Sequence, residues 1–137
     1  NAKVAKSEII FNEMNIDWNQ ELTLVEGPFD LTKCDSNAVC LLGSHLSENS
    51  VLFRRIVKSR TPIILALDPD AKSKSHEIAK LLSSYDVRVK IMTIKNHSDV
   101  GEMTRKEFLT EKSRSIPWNQ NDRLISLIGN IRSGSRL

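Results

Sequence analysis

The chain has 137 residues, of which 39% are hydrophobic and 27% charged, and its 20 basic and 17 acidic side chains leave a net charge of +3. A chain of this length and composition can bury a single-domain core without disulfides, which excludes disordered, coiled-coil and collagen-like proteins. With no apolar run near the roughly 20 residues that cross a bilayer and only two cysteines, Cys34 and Cys40, we expect a cytoplasmic protein with buried thiols and no membrane contact.

Apolar runs and helix-periodic segments predict a regular succession of strands and helices. In chain order the predicted elements are a helix within 2–14, a strand at 22–25, a short helix at 29–34, a strand at 38–42, a helix at 48–58, a strand at 62–67, a helix over 71–85, a strand at 87–94, and helices at 100–111 and 122–131. Gly27-Pro28 and Gly43-Ser44 end the first two strands. Ser47 is the expected N-cap of the helix after the second strand.

Two of the predicted helices carry clear apolar stripes at helical spacing. The stripe of the helix after the third strand consists of Ile78, Leu81, Leu82 and Tyr85. The stripe of the last helix consists of Leu124, Leu127, Ile128 and Ile131. The last stripe predicts packing within this chain or docking onto a neighbouring domain.

The alternation of strand and helix is typical of βαβ units, and short all-apolar strands suit a parallel sheet that is covered on both faces. We therefore predict an α/β fold, a doubly wound sheet of about four parallel strands with helices on both faces. Residues 1–112 form the predicted domain, with an N-terminal helix and lead-in at 1–20. Residues 113–137 form a C-terminal helical extension.

Acidic residues follow two of the predicted strands. In doubly wound sheets, ligands bind beyond the carboxyl ends of the strands where the winding reverses, commonly between strands one and three. Strand one is followed by Glu26, and strand three by Asp68 and Asp70. Since neighbouring strands lie about 4.8 Å apart, these carboxylates would repel one another unless they recruit a cation such as Mg²⁺ or Mn²⁺.

Ordinary structural roles for these acids remain open at this point. Glu26 could stabilise a turn, and Asp70 could be the N-cap of the next helix. Asp99 and Glu102 have the spacing of a capping box.

Four motifs stand in order at or near the predicted strand ends. They are Leu24-Val25-Glu26-Gly27-Pro28-Phe29-Asp30, Leu41-Leu42-Gly43-Ser44, Leu67-Asp68-Pro69-Asp70 and Ser98-Asp99. Over about residues 7–111 the chain resembles the Toprim domain, the catalytic fold of topoisomerases, bacterial-type primases and some nucleases and recombination proteins. The Val-Glu-Gly form of the first motif resembles the primases most, particularly phage-encoded ones. Primases usually have glycine where this chain has Pro69.

The resemblance implies a metal-dependent catalytic centre. Glu26, Asp68 and Asp70 would be the catalytic acids that hold one or two Mg²⁺ or Mn²⁺ ions, with Asp30 and Asp99 as further acids of the metal site. The implied reaction is nucleotidyl transfer that makes RNA primers from nucleoside triphosphates on a single-stranded DNA template.

The resemblance also implies partners in a bacterial or phage-infected cell. They are the flanking zinc-binding and polymerase parts of a primase and a replicative helicase. Two cysteines cannot supply the zinc module, so we expect the chain in isolation to make few or no primers.

Basic side chains near the predicted strand ends are candidates for binding nucleotide or nucleic acid. Lys72 and Lys74 follow the aspartates, Lys95 follows the fourth strand, and His45 follows the second. The whole net charge lies in residues 101–137, which hold 7 basic and 4 acidic side chains, and this also favours a polyanionic partner. The alternative is that these side chains are solvated surface residues.

Three other functions compete with the primase hypothesis. A Toprim-type metal-dependent nuclease would use the same acids, because phosphate hydrolysis needs the same charge neutralisation. A phospho-receiver module would use Asp68 and Lys95, although no acidic pair follows strand one. A non-catalytic interaction domain would use the acids only as caps.

Overall fold

The computed structural model of the chain describes residues 10, 12–27, 30–31, 34, 37–41, 46–94 and 100–119. Four predicted features lie wholly or partly outside these residues. They are most of the first helix, half of the short helix at 29–34, the turn at Gly43-Ser44, and the last helix with its leucine and isoleucine stripe.

The described residues form one mixed sheet and three α-helices. The strands are β1 (Leu22–Val25), β2 (Ala38–Cys40), β3 (Ile63–Ala66), β4 (Val89–Ile91) and β5 (Ile116–Pro117). The α-helices are α1 (Val51–Ser59), α2 (Lys72–Ser84) and α3 (Arg105–Ser113).

The strands lie in the order β2-β1-β3-β4-β5. The first four are parallel, and β5 runs antiparallel to β4. The predicted doubly wound α/β fold is confirmed, including the pairing of strands one and three. The sequence analysis missed β5, which has only two residues and includes a proline at the sheet edge, the position where a missing N–H is tolerated.

Strands β1, β2 and β3 are buried on both faces, as their apolar runs predict, whereas in β4 only Val89 is fully buried. Alternate residues of β1 point to opposite sides, with Leu24 in one core cluster and Val25 in the other. Helices α1 and α2 contribute Ile56 and Leu82 to the first cluster. Phe108 of α3 lies in the second cluster, so helices cover both faces of the sheet.

The predicted apolar stripe of α2 is only partly buried. Ile78 and Leu82 are buried, Leu81 is half-buried, and Tyr85 is 40% exposed at the C-cap. The Tyr85 hydroxyl donates a hydrogen bond to Glu48 Oε2 at 2.6 Å, and this hydrogen bond raises the pKa of the tyrosine above its ordinary value. Tyr85 is therefore a surface residue that is hydrogen-bonded to the segment before α1, and it is not part of the core.

Helix α1 begins later than the sequence analysis predicts. Its N-cap is Ser50, whose Oγ accepts from the Phe53 backbone N–H at 3.1 Å. Ser47, the predicted cap, instead accepts from the Asn49 N–H within the preceding turn. The cap falls on Ser50 because its backbone is extended, with φ −76° and ψ 150°, and the helical conformation starts at Val51.

Ser50→Ala is expected to lower the free energy of unfolding by about 0.5–2 kcal/mol, because it removes the acceptor for an N–H in the first turn of α1. Urea unfolding measures the loss. Ser47→Ala is the matched control, with a smaller loss expected. A larger effect for Ser47→Ala would contradict this assignment of the cap.

The segment after residue 99 also differs from the predicted single helix at 100–111. Val100–Glu102 forms a short 3-10 turn, and α3 starts at Arg105. Thr104 and Glu107 form a capping box at that start. Glu102 thus lies in the 3-10 turn before the helix, so the capping box at the start of α3 belongs to Thr104 and Glu107, while Asp99 lies outside the described residues.

Both cysteines are buried thiols, as predicted. Burial raises the pKa of the Cys40 thiol above its ordinary value, with a smaller contribution from the Asp30 charge. No helix in the described part of the chain is long and apolar enough to cross a membrane.

Candidate functional site at the carboxyl edge of the sheet

The pairing of β1 with β3 places two of the predicted acids at one edge of the sheet. Val25 is in register with Ala66 in the parallel pair. Glu26 is the next residue after β1, and Asp68 is two residues past the end of β3. Because parallel strands have their carboxyl ends at the same edge, Glu26 and Asp68 both lie there.

Asp68 leaves β3 in an extended conformation. Its φ of −58° and ψ of 149° are those expected of a residue before proline. The Asp68 carbonyl oxygen accepts from the Ala71 N–H at 2.9 Å, which closes the turn into α2. Its Oδ1 atom is shielded from solvent.

Asp70 lies in the 3-10 turn Pro69–Ala71 and is exposed. The N-cap of α2 is Ala71, which makes no side-chain capping bond. The alternative in which Asp70 is the N-cap is therefore wrong, and its carboxylate faces solvent beside Asp68.

Glu26 is paired with a lysine. Its Oε2 atom lies 2.9 Å from Nζ of Lys74, which belongs to the first turn of α2. The two side chains are 23% and 22% exposed, respectively. The predicted metal-ligating glutamate and a predicted phosphate-binding lysine are thus in direct contact, which the sequence analysis did not anticipate.

Asp30 binds backbone on both sides of the site. It is buried, at 8% exposure. Its Oδ2 accepts from the Gly27 N–H at 3.1 Å, and its Oδ1 accepts from the Gly101 N–H at 3.0 Å. Asp30 therefore ties the turn that carries Glu26 to the 3-10 turn before α3.

Asp30→Ala is expected to destabilise the chain by about 2–4 kcal/mol, because hydrogen bonds to charged groups contribute about 1.5–3 kcal/mol each and two N–H groups would lose their acceptor. Asp30→Asn keeps one carbonyl oxygen as an acceptor, so its free energy of unfolding should fall by less than that of Asp30→Ala. Urea unfolding is the measurement, and exposed Asp70→Ala, for which we expect little change, is the control. Wild-type stability of Asp30→Ala would contradict the bridging role.

A cavity of about 340 Å³ opens beside Asp68, between the first turns of α2 and the ends of β3 and β4. Its polar lining residues are Asp68, Lys72, Ser75, His76 and Thr93, and its apolar ones are Leu67, Pro69, Ile91, Met92 and Ile94. The volume is at the low end of the roughly 300–1,000 Å³ typical of ligand sites. The predicted phosphate-binding residue Lys72 thus lies next to a predicted catalytic acid.

Trp118 is hydrogen-bonded to His76, one of the residues that line this cavity. Its Nε1 donates to Nδ1 of His76 at 2.9 Å, and its ring packs against the first core cluster. The contact with His76, which lies 42 residues earlier, had no signal in the sequence.

Three predicted site residues, His45, Lys95 and Asp99, lie outside the described residues. Among the residues that the structure describes, no three His, Cys, Asp or Glu side chains are grouped closely enough to hold a metal ion. Mg²⁺, however, commonly binds one or two carboxylates and keeps several waters. The carboxylates of Glu26 and Asp68 lie at one edge of the sheet, and oxygen donors of this kind fit an ion that keeps several of its waters.

Comparison with solved structures relates this fold to a primase. The chain is similar to the crystal structure of the Aquifex aeolicus primase zinc-binding and RNA polymerase domains, with a TM-score of 0.63 and 25% sequence identity. The match covers 84% of this chain and 32% of the primase chain. No protein-family model matches the chain, and neither does any curated protein. The chain has a primase-like α/β fold.

Proposed function

We propose that the chain is the Toprim-type, metal-binding catalytic domain of a DNA primase, which makes RNA primers on single-stranded DNA. The observation that carries the proposal is the position of the acids. In a chain with a primase-like fold, Glu26 and Asp68 follow neighbouring parallel strands at the same edge of the sheet. Asp70 follows on an exposed turn.

Primer synthesis requires attack of a 3′-hydroxyl on the α-phosphorus of a nucleoside triphosphate and departure of pyrophosphate. Bound divalent ions would neutralise the negative charge on the attacking and leaving oxygens. Asp68 and Asp70 would be the principal ligands for Mg²⁺ or Mn²⁺. Glu26 would be a further ligand or, through a water molecule, would accept the proton of the hydroxyl.

The remaining acids have supporting parts in this proposal. Asp30 keeps Glu26 in place through the Gly27 N–H, and Asp99 is proposed as a further acid of the metal site. Phosphoryl transfer depends largely on the positioning of the reacting groups. Glu26 would therefore be a less effective metal ligand if its turn were not held by Asp30.

Basic side chains around the carboxyl edge of the sheet would bind the phosphates of the nucleotide and the template. Lys72, at the cavity beside Asp68, is placed to neutralise a triphosphate. Lys95 and His45 are proposed for the same role toward nucleotide or template. We further propose that flanking primase domains and a replicative helicase complete the enzyme in the cytoplasm of a bacterial or phage-infected cell, since this chain covers 32% of the similar primase chain.

The proposal is tested with the product of the complete gene, single-stranded DNA, labelled nucleoside triphosphates and Mg²⁺. Short RNA products that require both template and Mg²⁺ are expected. Shortening of end-labelled template without any use of nucleoside triphosphates would instead identify a metal-dependent nuclease.

A further inference from the structure

Lys74 occupies an unusual position for a cation. It is the third residue of α2, and the N-terminal turn of a helix carries a partial positive charge that disfavours a lysine there. A carboxylate partner compensates for this placement, and Glu26 supplies it at 2.9 Å. The partners are 48 residues apart in the sequence, so the contact is formed by the tertiary structure.

A divalent ion and the Lys74 ammonium cannot both sit on the same carboxylate oxygen. A metal ligand contact to Oε2 of Glu26 would bring two positive charges within a few ångströms of each other in a site that is about three-quarters shielded from water. Like charges at that separation repel strongly where solvent screening is reduced. An ion that binds Oε2 of Glu26 must therefore displace the lysine from that oxygen.

We propose that Lys74 is a resident counter-cation of Glu26, which a divalent ion must displace. The inference rests on the proposed function, because it takes Glu26 as a ligand of that ion. In the metal-free protein Lys74 neutralises and orients the carboxylate. Displacement by the ion frees the ammonium, at the start of α2, for the phosphates of a nucleotide.

The chain provides a matched control two residues away. Lys72 is in the same turn of α2 and is exposed, and it lines the cavity beside Asp68. Lys72→Met and Lys74→Met change the net charge equally, so a general electrostatic effect on cation binding appears in both variants. A difference in Mn²⁺ affinity between the two variants therefore reports direct competition between Lys74 and the ion for Glu26.

The experiment measures Mn²⁺ affinity by electron paramagnetic resonance of the free ion, with the full chain and without nucleotide. Lys74→Met is expected to bind Mn²⁺ about 10-fold more tightly than wild type, because the competing charge is gone. Lys72→Met should change the affinity less than about 3-fold, and Lys74→Arg, which keeps the charge, should resemble wild type. Lys74→Gln serves as a second neutral variant, with circular dichroism to check folding.

Two outcomes would overturn the inference. In the first, wild type binds Mn²⁺ and Lys74→Met raises the Mn²⁺ affinity no more than Lys72→Met does. Lys74 is then not the competitor for Glu26, while the metal site of the proposed function stands. If neither wild type nor any lysine variant binds Mn²⁺, both the inference and the proposed metal site fail.

Discussion

Asp68→Asn in the complete gene product is expected to reduce primer synthesis by about 10²–10³-fold, the loss typical of removing one group that stabilises transition-state charge. The substitution keeps the size of the side chain and removes the negative charge that a divalent ion requires. Initial rates with single-stranded template and saturating nucleoside triphosphates give the measurement. Stability should stay the same or rise, because a charge is removed from an acidic edge.

A matched control for this substitution is Asp86→Asn, which makes the same change of charge beyond the end of α2. Asp86 is exposed and has a φ of 64°, a conformation that asparagine adopts readily. The Asp86→Asn variant should therefore synthesise primers at the wild-type rate. Equal activities of Asp68→Asn and wild type would show that Asp68 is no part of the catalytic machinery.

Phe108→Ala is expected to lower the free energy of unfolding by about 3–5 kcal/mol, the usual loss for a fully buried phenylalanine. Phe108 is 0% exposed and packs in the second core cluster with Val100 and Met103. That cluster holds the 3-10 turn whose Gly101 N–H binds Asp30. The loss of packing should therefore also loosen the support of the candidate site.

The adjacent Leu109 provides the control for Phe108 because it is 45% exposed on the same helix. Leu109→Ala should change stability by no more than about 0.5 kcal/mol. Urea midpoints of the two variants give the comparison. Similar midpoints for both would mean that α3 does not seal this face of the sheet.

The sheet could be predicted because three of its parallel strands, β1, β2 and β3, are buried on both faces. Burial of that kind requires a continuous apolar run, such as Ile63 to Leu67. The pairing of strands one and three followed from the winding rule. Strand β5 could not be predicted, because Ile116 and Pro117 are too few to show any alternation.

Helix starts were harder to predict than strands. Two serines three residues apart compete for the start of α1, and backbone conformation rather than residue type selects Ser50. The start of α3, by contrast, did carry a signal. Thr104 and Glu107 have the spacing of a capping box, and the sequence analysis overlooked it in favour of Asp99 and Glu102.

The shared edge of Glu26 and Asp68 followed from the topology, but the partners of the acids did not. Asp30 accepts a hydrogen bond from Gly101, 71 residues later, and Glu26 pairs with Lys74. Contacts of this kind depend on how loops from different strands approach one another. Local periodicity and propensity contain no information about that approach.

The central claim is that the edge formed by Glu26, Asp68 and Asp70 binds a divalent ion, and paramagnetic broadening of amide signals by Mn²⁺ tests it most directly. Nuclear magnetic resonance spectra of the full chain, titrated with substoichiometric Mn²⁺, should lose the amide signals of residues 25–27, 67–68 and 70–71 first. The Asp68→Asn, Asp70→Asn double variant should keep them. Uniform broadening over the surface, or selective broadening at another place with these signals intact, would contradict the account.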